Sequence, residues 1–121
     1  MSFDLNTKSL LDENYCVMLI QNSSTIFVFW KFSDYKNYQF EKGFYKKDIT
    51  IKLLDENNNC VVDIPVEWNK ARLYVALPRS LNSVRVEIYA ENSNSREKLS
   101  SYGPLKISYM KETKKDYIKI K

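Results

Sequence analysis

Apolar residues recur at alternate positions along most of this chain. The segments 48–55, 71–78 and 83–91 place Ile, Leu or Val at every second residue, with mostly polar residues between them. Two further segments, 15–21 and 25–33, are apolar at both odd and even positions. A period of two is typical of β-strands that bury one face, so the pattern predicts many strands and little helix.

Two more strands complete the predicted set of seven, at 60–66 and 98–109. Pro65 indicates that the strand 60–66 lies at a sheet edge, because proline has no N–H to donate to a neighbour. Gly103 and Pro104 predict a kink in the last strand. With only two glycines in the chain, Asn, Asp and Ser are expected to build most turns. Short alternating strands of this number predict an all-β fold, an antiparallel β-sandwich.

The connection 34–47 breaks the alternation, since it contains five aromatic residues and shows no period of two. It predicts a short helix that Asp34 would cap and that would end at Gly43. The rest of a chain of 121 residues fits one domain.

We divide the chain into an N-terminal extension (1–14), a sandwich domain (15–109) and a basic C-terminal tail or edge strand (110–121). The formal net charge of +4 lies at this C-terminal end, because residues 106–121 hold six lysines and two acidic residues. We interpret the tail as a solvated edge or end. Non-specific nucleic-acid binding is a less favoured hypothesis, and it would use four of these lysines: Lys111, Lys114, Lys115 and Lys119.

The chain lacks the residues that most enzyme mechanisms require. The chain has no histidine, so catalytic triads, Cys–His dyads and histidine-ligated metals have no basis. Two distant glycines cannot form a phosphate-binding loop. The carboxylate pairs Asp55/Glu56 and Glu56/Glu67 fall in predicted turns, where solvent keeps their pKa values ordinary. We therefore expect no enzyme activity, no cofactor and no metal site.

The cysteines and the hydropathy of the chain indicate in which cellular compartment the protein is expected. Cys16 and Cys60 lie in apolar runs and are expected to be free, buried thiols, as in proteins of a reducing compartment. No apolar run approaches the length of a membrane span, and residues 1–14 do not resemble a secretory signal. A cytoplasmic protein without membrane association is expected.

The segment 25–32, TIFVFWKF, is apolar on both faces, so the main structural question is what covers its second face. Residues of one parity are expected in the core: Ile26, Val28, Trp30 and Phe32. Trp30 is then the large central residue, and its indole nitrogen needs a hydrogen-bond acceptor. Phe27 and Phe29 point to the outer face, and Tyr74 joins them if the strand 71–77 pairs with this segment. Such a patch measures roughly several hundred Å², the size at which an exposed apolar surface gains meaning.

Three ways of covering that outer face remain open. The aromatic connection 34–47 folds back over it, or a second copy of the chain packs on it, or it is a platform for a ligand. If the connection 34–47 covers the outer face, its aromatic residues serve packing. If the outer face is a ligand platform, three tyrosines of the connection are further ligand candidates: Tyr35, Tyr38 and Tyr45.

Five strings resemble a known type of sandwich: STIFVFW, ITIKLLD, RLYVALP, SVRVEIYAENS and YGPLKIS. They are similar to fibronectin type III and immunoglobulin-like domains. More narrowly, their order resembles the bacterial domain of unknown function 4912 over residues 15–108. The chain departs from that family at QNSS (21–24), at Lys31 and at Val84. Because Val84 stands where an aromatic residue usually follows the proline turn, a tyrosine-corner hydrogen bond is not expected. The resemblance implies a sandwich without assigned catalytic residues and an association with glucan metabolism.

The sequence therefore predicts a non-catalytic binding domain that contacts another protein or its own copy through an aromatic outer sheet face. The alternative is a glucan-binding module, because exposed aromatic rings stack on sugar rings. Its ligand would meet Phe27, Phe29 and Tyr74, or the tyrosines of the connection 34–47.

Overall fold

Seven strands and one helix form the part of the chain that the computed structural model describes, residues 13–107. The strands are β1 (Tyr15–Asn22), β2 (Thr25–Lys31), β3 (Asp48–Leu54), β4 (Cys60–Glu67), β5 (Arg72–Ala76), β6 (Ser83–Glu91) and β7 (Arg96–Lys106). The helix is α1 (Asp34–Glu41). Most of the N-terminal extension and all of the predicted basic tail lie outside the described residues.

The strands form two antiparallel sheets. One has three strands in the order β1-β2-β5, and the other has four in the order β4-β3-β6-β7. This arrangement confirms the predicted all-β sandwich. Pro65 does lie on an edge strand, because β3 is the one described strand that pairs with β4. Within residues 13–107 no helix has the length and hydropathy needed to cross a membrane.

The core fills the space between the sheets. Its fully buried members are mostly β-branched residues and Leu, which pack well on pleated surfaces. Ile26, Val28 and Trp30 of β2 point inward as predicted, and Trp30 is 4% exposed. Its Nε1–H donates to the carbonyl oxygen of Trp68 at 3.0 Å, so the indole nitrogen is satisfied inside the core.

Asparagine side chains hold the turns, as the shortage of glycine predicted. Oδ1 of Asn22 accepts from the N–H and the hydroxyl of Ser24 in the β1–β2 turn. Oδ1 of Asn92 accepts from the N–H groups of Asn94 and Ser95 in the β6–β7 turn. These are side-chain turns that replace backbone hydrogen bonds.

The helix α1 closes one end of the sandwich and does not cover the outer face of β2. Phe40 is fully buried and stacks on Trp68 with centroids 5.1 Å apart, and it also contacts Phe32 and Tyr45. The interpretation that the connection 34–47 folds over Phe27 and Phe29 is therefore wrong.

Two smaller predictions need correction. The helix is capped by Ser33, whose Oγ accepts from the N–H of Lys36 at 3.1 Å, and not by Asp34. Cys16 is buried as expected, but Cys60 is exposed because it opens the edge strand β4 beside a hairpin turn. Pro65 had indicated the edge position of this strand, but the apolar neighbours of Cys60 suggested a buried thiol.

The hydrogen bond of Trp30 can be tested by removing its donor. We expect Trp30→Phe to lower the free energy of unfolding by about 1–3 kcal/mol, because the Trp68 carbonyl loses its partner and the core loses apolar area. Urea denaturation measures the change. Trp68→Phe is the matched control, since it changes an indole but keeps the backbone acceptor. A Trp30→Phe protein as stable as the wild type would contradict the central role of this contact.

Candidate binding site on the three-stranded sheet

Strand register builds one continuous apolar surface on the outer side of the three-stranded sheet. Phe27 of β2 lies between Leu19 of β1 and Tyr74 of β5. One row further along, Phe29 lies between Val17 and Arg72. Directly opposed side chains in antiparallel strands are neighbours, so these rows form a single surface. Tyr74 therefore joins the two phenylalanines as predicted.

We call this surface the outer aromatic face, and it consists of Tyr15, Val17, Leu19, Phe27, Phe29 and Tyr74. Tyr74 is 64% exposed, Leu19 is 52% exposed and the two phenylalanines are half-buried. The ring of Phe27 lies 4.7 Å from that of Tyr74 and 5.7 Å from that of Phe29. Each pair is tilted, by 45° and 39°, so the rings form an uneven surface instead of one flat platform.

The charged residues within the three strands that form the outer aromatic face are both cations. Lys31 pairs with Tyr15 across the strands, and Arg72 pairs with Phe29, so both cations lie toward the same end. No Asp or Glu occurs in β1, β2 or β5. Both cations are exposed, and neither forms an ion pair with a residue of the described range 13–107.

The outer side of the four-stranded sheet differs from the outer aromatic face because its charged side chains pair with one another. Glu87 is 8% exposed there and accepts from the Tyr89 hydroxyl at 2.6 Å. Its carboxylate also pairs with Arg85 at 3.3 Å and with Lys98 at 3.7 Å. The hydrogen bond to Glu87, together with burial, raises the pKa of Tyr89. This side satisfies its own charges, whereas the outer aromatic face leaves apolar rings in contact with solvent.

Two of the predicted tyrosines lie together in a second place, a groove beside α1. Tyr35 and Tyr38 line it with Phe44, and all three are more than half exposed. The groove has a volume of about 500 Å³ and also contains Gln39 and Lys42. The ammonium of Lys42 lies 5.6 Å from the centre of the Tyr38 ring. This groove is separate from the outer aromatic face.

Tyr45 is not part of either surface, which corrects its prediction as a ligand residue. It is 3% exposed, and its ring packs on Phe40. Its hydroxyl donates to Glu97 at 2.6 Å and accepts from Lys36 at 2.8 Å. Burial and the bond to Glu97 raise the pKa of Tyr45. Tyr45 thus ties α1 to β7.

The carboxylate Asp55 also differs from its prediction. It is buried in the β3–β4 turn, where its Oδ1 accepts from the N–H groups of Asn59 and Asn57. Its Oδ2 accepts from Arg79 at 2.8 Å. These donors, Asn59 first, hold the pKa of Asp55 below its usual value, although the sequence predicted an ordinary one. Its contacts are those of a residue that builds a turn.

Sequence reasoning missed the contribution of β1 to the outer aromatic face. Tyr15, Val17 and Leu19 were not among the predicted site residues, although the run 15–21 is apolar at both parities just as β2 is. That shared property was the available signal. Lys31 and Arg72 were missed because their position at one end depends on strand register. The predicted lysines 111, 114, 115 and 119 lie outside the described residues.

The described residues hold no group of three or more His, Cys, Asp or Glu side chains placed to bind a metal ion.

Comparison with known proteins gives one match. A family model described as a domain of unknown function, DUF4912, matches residues 12–101, which is more than half of the chain. No curated protein and no solved structure matches it.

The turn at Asp55 has a defined dependence on pH. Because its folded pKa is lowered, Asp55 stabilises the fold fully above its unfolded pKa of about 4, and this contribution is lost as the pH falls through the folded pKa. We expect Asp55→Asn to be less stable than the wild type at pH 7, with a gap that shrinks below about pH 4. Urea denaturation at several pH values measures it. A gap that is constant from pH 7 to pH 2 would contradict the assignment.

Proposed function

We propose a function for this chain from the premise that it belongs to the DUF4912 family, a family described as a domain of unknown function. The chain is a non-catalytic interaction domain. It binds another protein, or a second copy of itself, through the outer aromatic face. The observation that supports this most is that six adjoining apolar side chains of β1, β2 and β5 meet solvent on one side of the sheet.

The composition of the outer aromatic face favours a protein over a sugar as the ligand. Val17 and Leu19 are aliphatic and alternate with the rings, as in the apolar centre of a protein interface. Sugar rings stack on flat, accessible aromatic faces, whereas Phe27 and Phe29 are half-buried and tilted against their neighbours. Exposed Tyr74, beside a cation, is typical of the residues that dominate binding energy between proteins.

The proposal also includes the type of sandwich and the cellular location that the sequence predicted. The sandwich is of the fibronectin type III or immunoglobulin-like type, because the chain changes sheets after β2, β4 and β5 and leaves sheets of three and four strands. The protein acts in the bacterial cytoplasm. The free thiols of Cys16 and Cys60 support a reducing compartment.

Photo-crosslinking tests the proposed interface. We expect p-benzoylphenylalanine at position 74, the most exposed site on the face, to give a discrete protein adduct in cells. The same residue at position 98, on the outer side of the four-stranded sheet, is the control. The mass of the adduct distinguishes a second copy from another protein. An adduct yield at position 74 no higher than at position 98 would contradict the proposed function, whereas its loss in a Leu19→Glu background would support it.

The groove beside α1 favours a second candidate function, glucan binding. Tyr35, Tyr38 and Phe44 surround a concave space that also holds an amide and an ammonium group, and such a mixture suits a sugar. Oε1 of Gln39 is buried there without a hydrogen-bond partner.

Electrophoresis through gels that contain glycogen or soluble starch tests this candidate. If the groove binds glucan, the polymer retards the wild type, and Tyr38→Ala weakens the apparent affinity by about threefold to tenfold, the energy of one lost ring contact. Tyr74→Ala is the matched control, because it removes an equally exposed tyrosine elsewhere. Equal mobility with and without polymer would reject the glucan function.

A further inference from the structure

Each sheet of a sandwich has two edges, and the four edges of this protein are not equivalent. The edge strands are β1 and β5 of one sheet and β4 and β7 of the other. An edge strand presents backbone N–H and C=O groups on one side without strand partners, which makes it a template for another chain unless it is protected. How each edge is protected therefore indicates where a partner can add.

Three of the edges are protected. β4 carries Pro65, which cannot donate to a further strand, and the exposed charge of Asp63. β1 and β7 face each other across the sandwich, since residues of both line one groove of about 580 Å³. Cys16 of β1 also interacts with Ser100 of β7. β1 and β7 are thus neighbours, and each lies beside the other instead of standing alone at its sheet edge.

β5 has none of these protections. Its five residues pair with β2 from Arg72 to Ala76, and no residue of the described range 13–107 pairs along its other side. It contains no proline, and Arg72 is its one charged residue. Its outer residues Arg72 and Tyr74 belong to the border of the outer aromatic face, and its inner residue Val75 is buried.

We propose that β5 accepts an extended peptide segment of a partner protein as a fourth strand of this sheet. This inference rests on the proposed function, because it names the binding mode and the chemistry of the partner. Main-chain hydrogen bonds to β5 supply affinity, and alternate side chains supply specificity. An added strand places every second side chain on the outer aromatic face, level with Arg72, Tyr74 and Ala76.

Charge decides the chemistry of that peptide. Lys31, Lys70 and Arg72 are exposed at one end of the face and form no ion pairs within the described part of the chain. At this end the three cations outnumber the exposed acidic residues Glu13 and Asp34, which precede β1 and follow β2, and β5 itself contains no carboxylate. The end beside Arg72 therefore favours an acidic side chain over a basic one. The segment therefore carries Asp or Glu next to Arg72 and, two residues away, an apolar or aromatic side chain beside Tyr74.

A library of random twelve-residue peptides displayed on phage tests the inference. We expect the wild type to select peptides in which an acidic residue lies two positions from an aromatic or β-branched residue. Arg72→Glu should abolish the acidic preference and weaken a selected peptide by about tenfold or more, the size of one charge-assisted contact. Lys106→Glu makes the same charge change on β7 and should alter neither property. Circular dichroism confirms that each variant is folded.

Methylation of single backbone amides in a selected peptide then identifies strand addition. Alternate amides of an edge-bound strand face β5, so methylation at those positions should weaken binding about tenfold, and methylation at the intervening ones should not. An equal response at all positions, or selected peptides with apolar residues at helical spacing, would overturn the inference.

The outcomes separate this inference from the proposed function. Peptides that are lost on Tyr74→Ala but show no acidic preference would reject the inference and keep the outer aromatic face as an interface. Selection of no peptide also rejects the inference, while the crosslink at position 74 tests the interface independently. Binding of a single-stranded oligo(dT) probe that Arg72→Glu abolishes would assign the cationic end to nucleic acid, against the proposal.

Discussion

The fold depends on the burial of Trp30 between the two sheets. Its side chain is buried in the core, and its indole nitrogen donates to the carbonyl of Trp68. Because side chains of a strand alternate, turning Trp30, Val28 and Ile26 inward turns Phe27 and Phe29 outward. The outer aromatic face is thus a direct consequence of how the core is packed, and no one-residue shift of β2 could bury both sets.

The two sheets present different surfaces to solvent, one with paired charges and the other with apolar rings. Glu87 and Tyr89 organise a closed set of charges on the four-stranded sheet, where partners lie within the same surface. The three-stranded sheet instead presents exposed rings and the cations Lys31 and Arg72, which form no ion pair within residues 13–107. Exposed apolar area costs free energy in water, and in residues 13–107 it is concentrated on the side of the three-stranded sheet that ends at β5. The proposed interface would bury this area.

The aromatic connection between β2 and β3 divides its residues between structure and surface. Phe40 and Tyr45 close the core, whereas Tyr35, Tyr38 and Phe44 remain exposed around a groove. Nothing in the local sequence separates these two groups. The helix α1 is short, and its buried residue is Phe40, so the division follows from which ring can reach Trp68.

The apolar pattern along the chain was enough to predict the seven strands, and the missing N–H of Pro65 was enough to predict an edge strand. The alternation of side chains along a strand also separated Ile26, Val28 and Trp30 from Phe27 and Phe29, because this separation follows from local geometry. Only the tertiary structure decided that β1 and Tyr74 extend the outer aromatic face, that Tyr45 is buried, that Asp55 is held by Arg79, and that β5 pairs with β2 alone among the described strands. Each of these depends on which distant segments become neighbours. Register and packing between segments set such contacts, and they leave no periodic signal in either segment alone.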